Sequence, residues 1–367
     1  MGIKPPKFVE SKFPLHKCTN ENLGCGIELE IENVGEYERA LLMIDPSVWG
    51  VVEDGSLRPQ RLSWEFVSLP MKMSSLLAEL EQFFSKNQFN EAHYSDRTSI
   101  HVHTNVLDFT PKQLATLCLV YTVVEDILFE FTNHYNKGNR ESYYRDTNIY
   151  CIPWTQCRMN YEFVRQLFKS TKKATQGWQK YTALNLLPIC EHGTVEWRHM
   201  HGTNDFDKLS KWLNIIGCIM QFSKERDFDD VSKVIISLND TSAYQQFFNQ
   251  IFGLTLEYTD EYARRMAEGV LSAKYSLINR NKKEETVEET QNNLDWLRAG
   301  LFERQQMQAD FNAPQAFRRV GRNPVPIPAV QQPAIARLHM EAQEWPAAAP
   351  FMIMDEIQQA NNEEDDE

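Results

Sequence analysis

The sequence lacks a CxxC pair, and its seven cysteines (Cys18, Cys25, Cys118, Cys151, Cys157, Cys190 and Cys218) fall at spacings that match no zinc framework. Their number is odd and several sit in apolar runs, as core cysteines do. They read as reduced thiols, and the expected location is cytoplasmic. An apolar h-region is missing too. Lys4, Pro5, Pro6 and Lys7 lead into none, so no signal peptide is expected. The longest apolar helical segment is interrupted by Glu125 and Asp126, too much so to span a bilayer, and no membrane partner is expected. Basic charge is in deficit. With 38 Lys and Arg against 51 Asp and Glu the net charge is −13, which argues against nucleic acid as a direct partner and favours a site that holds cations. Part of the charge is local. Asp355, Glu356, Glu363, Glu364, Asp365, Asp366 and Glu367 form an acidic end, and without these seven −6 remains. No internal repeat is visible.

What is present is alternation. The 367 residues can bury a sizeable core in one large domain or two. In Gly26-Ile27-Glu28-Leu29-Glu30-Ile31-Glu32 apolar and acidic residues alternate strictly, so a strand would put three carboxylates on one face. Ser63–Ser68 repeats the pattern with Ser63 and Glu65 opposite Trp64 and Phe66. Ser99–Asn105 places Ser99, His101, His103 and Asn105 opposite Ile100 and Val102. Thr194–Met200 places Glu196 and Arg198 opposite Val195 and Trp197, and Tyr181–Leu187 is a further strand candidate. Between them, residues 37–52 are expected as a short strand or helix, and Asp54-Gly55-Ser56-Leu57 as a turn.

Helical periodicity marks 71–87, 161–169, 205–224, 229–236, 242–251, 260–278 and, more weakly, 284–308. A long helix nearly apolar all round is capped by Thr110 with Pro111 at its first position and runs to about residue 133. Residues 169–180 are lysine-rich, a solvated loop or a mobile lid over phosphates. From residue 312 the composition turns to proline, alanine and glutamine, as expected of a disordered tail.

Each stripe has a bland reading. The two histidines could be core polar groups or, less readily, zinc ligands. Glu196 and Arg198 could be a surface pair, and Asp54 a turn residue. Lined up in one sheet, the stripes gather Glu28, Glu30, Glu65, His101, His103, Glu196 and Arg198 over one surface. That much like charge suits two or three Mg²⁺ or Mn²⁺ ions, which accompany nucleotide phosphates. An arginine beside a ligand glutamate suits phosphate oxygens.

Seven segments in order carry a resemblance: Gly26-Ile-Glu-Leu-Glu, Asp54-Gly-Ser-Leu, Trp64-Glu-Phe-Val-Ser, Ser99-Ile-His-Val-His, Arg140 in Asn-Arg-Glu-Ser-Tyr-Tyr, Lys180-Tyr-Thr-Ala-Leu-Asn-Leu, and Gly193-Thr-Val-Glu-Trp-Arg-His-Met-His-Gly-Thr. The series resembles the putative amidoligases, carboxylate–amine ligases related to glutamate–cysteine ligase and glutamine synthetase, from about Gly24 to Phe222. Trp197 stands where Phe is more usual between the Glu and Arg, and the Arg140 region fits loosely.

The resemblance implies an α+β fold with a curved, mostly antiparallel sheet lining a catalytic funnel and helices outside. It divides the chain into a polar lead-in (1–22), a catalytic domain (23–255), C-terminal helices (256–311) and the tail (312–367). It implies ATP-dependent joining of an amino-acid, peptide or protein carboxylate to an amine through an acyl phosphate. Glu30, Asp54 and Glu65 would hold one Mg²⁺ or Mn²⁺ ion. Glu28, a histidine of the His101/His103 pair and Glu196 would hold a second. Arg198 would stabilise the phosphoryl group. Arg140 and Lys180 would contact phosphate or substrate, Asn185 would position, and Glu32 would sit at the rim. Known members come from bacteria, their viruses and fungi, so the cytoplasm would be the host's for a virus-encoded chain. A kinase-like phosphoryltransferase, or an interaction or structural protein with a relic site, are the alternatives.

Overall fold

The computed structural model describes residues 6–134, 145–157 and 178–278. All of them belong to one compact unit, Met1–Asn293. Among the described residues there are eight α-helices and a seven-stranded sheet. In chain order they are β1 (Gly24–Ile31), α1 (Tyr37–Leu41), β2 (Trp49–Val52), β3 (Trp64–Ser68), β4 (Met71–Lys72), α2 (Met73–Lys86), β5 (Ser99–Asn105), α3 (Pro111–His134), β6 (Leu184–Asn185), α4 (Pro188–Glu191), β7 (Thr194–His201), α5 (Phe206–Glu225), α6 (Phe228–Ser237), α7 (Thr241–Phe252) and α8 (Asp260–Ile278). The strand order is β2-β3-β1-β5-β7-β6 with β4 on β1, and every strand pair is antiparallel. The sheet is open, not closed into a barrel.

The stripes set the two faces. Ile27, Leu29, Ile31, Phe66, Ile100, Val102, Val195 and Trp197 are all buried in the main core. Each such side chain contributes about 1.5–3 kcal/mol relative to exposure. Helices α2, α3 and α5 supply the other half of that core. Helix α3 starts as expected. Thr110 Oγ1 accepts from Gln113 N at 3.2 Å and Gln113 Oε1 accepts from Thr110 N at 2.8 Å, a reciprocal capping box. Asp205, Asp227 and Asp240 cap α5, α6 and α7 by accepting from Lys208 N, Asp229 N and Ala243 N through their side chains.

Helix α8 packs on α3. A Cβ built at Gly269 of α8 would lie 2.0 Å from the Val123 carbonyl oxygen, so glycine is what lets the two backbones approach. Gly193, at φ +68°, closes the turn into β7.

Several elements differ from the sequence reading. Residues 37–52 hold both a helix and a strand, α1 and β2. The strand read over Tyr181–Leu187 is only Leu184–Asn185: before it Thr182 bridges to Ile152, and beyond it Leu187 leads into a short helix opened by Pro188. Strand β7 is not regular. Ile100 faces Met200 while Val102 faces Trp197, so two β7 residues, Arg198 and His199, oppose the single residue His101. This bulge keeps Arg198 on the polar face beside Glu196. It turns both His199 and Met200 into the core, where strict alternation would bring Met200 back to the polar face. Arg140, the helix read over 161–169, the lysine-rich stretch up to 177, the weak helix over 284–308 and the tail lie outside the described residues.

Candidate functional site

The polar face gathers the residues that the stripes single out. Cross-strand register does most of this work. Glu28 lies opposite His101, Glu30 opposite Glu65, and His103 opposite Glu196. Directly opposed residues share a face, so Glu28, Glu30, Glu65, His101, His103 and Glu196 form one patch. Glu30, Glu65, His101, His103, Glu196 and Arg198 are all buried.

One half of the patch pairs its charges. Glu28 Oε2 lies 3.0 Å from His101 Nδ1, and Glu28 Oε1 lies 3.2 Å from His103 Nε2. Glu196 Oε1 is 3.5 Å from His101 Nδ1 and also contacts Arg198 Nη1, while Glu196 Oε2 accepts from Asn185 Nδ2 at 2.7 Å. His103 Nδ1 meets Thr194 Oγ1 at 3.0 Å. Ligand atoms of Glu28, His103 and Glu196 all lie within 4.8 Å of one another. Burial by itself would raise the Glu28 carboxyl, but His103 and His101 hold it well below the usual range. Burial likewise opposes ionisation of Glu196, and Arg198 with the two histidines overcomes it. Burial would lower His103, yet the Glu28 charge raises it. His101 goes the other way, lowered by burial and then by Arg198.

The other half is acid against acid. Burial and the Asp54 charge push Glu30 up to about 8, although Ser99 donates to Glu30 Oε2 from both N and Oγ at 2.7 Å. Glu65 is driven well above the carboxylate range by burial and then by Glu28, Glu30 and Asp54. His101 Nε2 approaches Glu30 Oε1 no nearer than 4.0 Å. Asp54 sits on its turn, where Oδ1 accepts from Ser56 N at 2.6 Å.

Compared with family models and with curated protein sequences, the chain matches none. What the patch can do therefore rests on its own chemistry. Carboxylate oxygens with one imidazole nitrogen suit Mg²⁺ or Mn²⁺ rather than a soft metal. The repulsion among Glu30, Glu65 and Asp54 is the kind that a divalent cation relieves.

Of the residues named from sequence, Glu28, Glu30, Glu65, His101, His103, Glu196, Arg198 and Asn185 meet on this face. Asp54 reaches it electrostatically from the turn. Lys180 is exposed, with Nζ 5.8 Å from the Tyr181 ring centroid, and Arg198 lies over the same ring at 5.8 Å. Glu32 is not a rim residue. It is buried at 5 % exposure and accepts from Arg58 N at 2.8 Å, so it anchors the turn that carries Asp54. Sequence reasoning missed three supports. The Tyr150 carbonyl accepts from Arg198 Nε at 2.9 Å, Arg145 Nη2 donates to the Arg198 carbonyl at 2.8 Å, and Ser99 Oγ contacts His101 Nε2 at 2.8 Å as well as Glu30. Ser99 was visible as a member of the stripe. A main-chain carbonyl carries no sequence signal.

Proposed function

We propose that the protein is an ATP-dependent carboxylate–amine ligase that forms an amide or peptide-like bond through an acyl phosphate. The observation that carries this is the convergence of Glu28, His103 and Glu196 ligand atoms within 4.8 Å, with Arg198 on Glu196. The motif order that resembles the amidoligases supports it. Glu28, His103 and Glu196 would hold one Mg²⁺ or Mn²⁺ ion, and Glu30, Glu65 and Asp54 another. Such ions supply neutralisation, so that a phosphoryl group and a carboxylate can meet despite like charge.

The chain's own residues then have distinct tasks. Arg198 is held by Nε on Tyr150 and Nη1 on Glu196, which among the described residues leaves Nη2 to donate to a phosphoryl oxygen. Asn185 fixes Glu196 from behind. The γ-phosphoryl of ATP moves to the substrate carboxylate and ADP leaves. The amine lone pair attacks the acyl carbon, phosphate departs with the C–O electrons, and the amine gives up a proton. Lys180, exposed beside the Tyr181 ring that Arg198 also overlies, fits substrate contact.

Titration calorimetry with ATP and Mn²⁺ is the first test, and absence of binding overturns the reading. Release of ADP and free phosphate, with amino acids, peptides and amines offered as substrates, is the second. Phosphate retained on the substrate would select a phosphoryltransferase instead.

A further inference from the structure

Arg198 is held from the far side of the sheet. A bulge takes a carbonyl out of the strand ladder, and a buried carbonyl needs a donor. Here the donor is Arg145, 2 % exposed, which gives Nη2 at 2.8 Å and Nε at 3.3 Å to the Arg198 carbonyl. The Arg198 peptide N donates to the Ala183 carbonyl at 2.8 Å. Its side chain is fixed by the Tyr150 carbonyl. The place of Arg198 is thus set by the segment 145–155.

That segment is pinned in turn. Ile152 N donates to the Tyr181 carbonyl at 2.7 Å, and Ala183 N to the Ile152 carbonyl at 2.8 Å. Two residues on, Glu125 accepts from Trp154 N at 2.5 Å and Thr155 N at 3.1 Å. Glu125 belongs to α3, on the helix side, 1 % exposed. The Tyr121 hydroxyl donates to Glu125 Oε1 at 2.8 Å and meets His199 Nε2 at 2.9 Å. His199 is the other residue of the bulge. The bonds therefore close a ring, from Arg198 through Tyr150 and Trp154 to Glu125, then through Tyr121 to His199 and back. A carboxylate and a guanidinium buried in and beside a mostly apolar helix cost stability. Sites that break local consistency in this way tend to be functional.

We propose that Glu125 and Arg145 are positioning residues for Arg198, setting its guanidinium through the bulge and the 145–155 segment without touching any ligand. The catalytic meaning of this rests on the ligase reading, but the positioning itself does not.

The test uses the full-length chain at pH 8 and two readouts. The first is the Arg198 side-chain Nε–H signal in ¹H–¹⁵N spectra, identified by its loss in Arg198→Lys. The second is ATP affinity with Mn²⁺ by calorimetry. Glu125→Gln and Arg145→Lys should each move the Arg198 signal and weaken ATP binding about tenfold while melting cooperatively. Phe247→Leu, a core change in α7, should lower the melting temperature and leave that signal in place. Tyr121→Phe keeps the ring and removes both hydroxyl bonds, so it serves if Glu125→Gln does not fold, with a smaller shift in the same signal. An unmoved Arg198 signal in the folded variants overturns the proposal. A wild-type chain that binds no ATP overturns the ligase reading alone, because the spectra still decide the positioning.

Discussion

The two halves of the acidic face are built from the same residue types and behave in opposite ways. Around Glu28 and Glu196 every carboxylate has an imidazole or guanidinium within contact distance, and both acids are held ionised. Around Glu30 and Glu65 the charges that act most strongly are those of other acids, Asp54 among them, and burial together with repulsion favours the protonated form of both. The first half is organised by the protein itself. The second, on the proposed reading, is the half that a cation would balance. Register explains the difference, since β1 pairs with a histidine strand on one side and with a glutamate on the other.

The largest expected effect breaks the first half. Glu28→Gln or Glu196→Gln should lower the proposed ligase turnover about a thousandfold or more, about 4 kcal/mol of transition-state stabilisation. Steady-state ADP release checks it. Retained turnover would separate the paired half from catalysis and leave it a structural cluster.

Glu125 gives the comparison a reference point, a buried acid with neutral donors only. Burial pushes it up to about 7 from an ordinary 4.5, against the pull of the Trp154 and Thr155 N–H groups and the Tyr121 hydroxyl, with Asp126 adding to the rise. The folded chain thus keeps a proton that the unfolded chain releases in this window. The resulting stability is fully present below pH 4.5 and is lost as pH rises to about 7, by about 3 kcal/mol. Urea unfolding of wild type and Glu125→Gln across that range should show the difference between them falling and then flattening. A flat difference throughout would mean that the carboxyl is not destabilised by burial.

Metal-free stability should separate the two halves by sign. Glu28→Gln strips buried His103 of its counter-charge and His101 of a hydrogen-bond partner, and should destabilise by about 1–3 kcal/mol. Glu65→Gln removes a repelled acid and should be neutral or stabilising. Thermal melts in a chelator read both. Added Mn²⁺ should raise the melting temperature of wild type and do so less for Glu65→Gln. Equal losses in the two variants would erase the distinction between the halves.

Much of this face was legible because period-2 alternation survives folding. Glu28, Glu30, Glu65, His101, His103 and Glu196 needed only the strand period and one sheet to bring them together. The cap at Thr110 was legible for a similar reason, since it is set within four residues. The bulge at Arg198 and His199 was not, because it depends on how β7 meets β5 rather than on β7 alone. Arg145 was hidden by its partner, a carbonyl, and Glu125 by its position in an apolar helix, where it reads as a reason against a membrane span rather than as an anchor. The end of β6 is tied to Pro188, one residue past the strand read over 181–187, which opens a short helix there.

Glu32 supplies the smallest effect and the finest cut. Alternation groups it with Glu28 and Glu30, yet β1 ends at Ile31 and the Glu32 side chain turns to accept from Arg58 N. Its task is to hold the Asp54 turn against the sheet, so it belongs to neither half. Glu32→Gln keeps a carbonyl acceptor for Arg58 N and should cost about 1 kcal/mol or less in urea unfolding. Glu32→Ala leaves that N–H without its acceptor and should cost about 1–2 kcal/mol. If Asp54 is a ligand with Glu30 and Glu65, Glu32→Ala should also weaken Mn²⁺ binding, since the turn that presents Asp54 is loosened, whereas Glu32→Gln should not. Calorimetric titration of Mn²⁺ into both variants tests this. Equal affinity in the two would place Asp54 outside the proposed cation site and reduce that site to the facing pair Glu30 and Glu65.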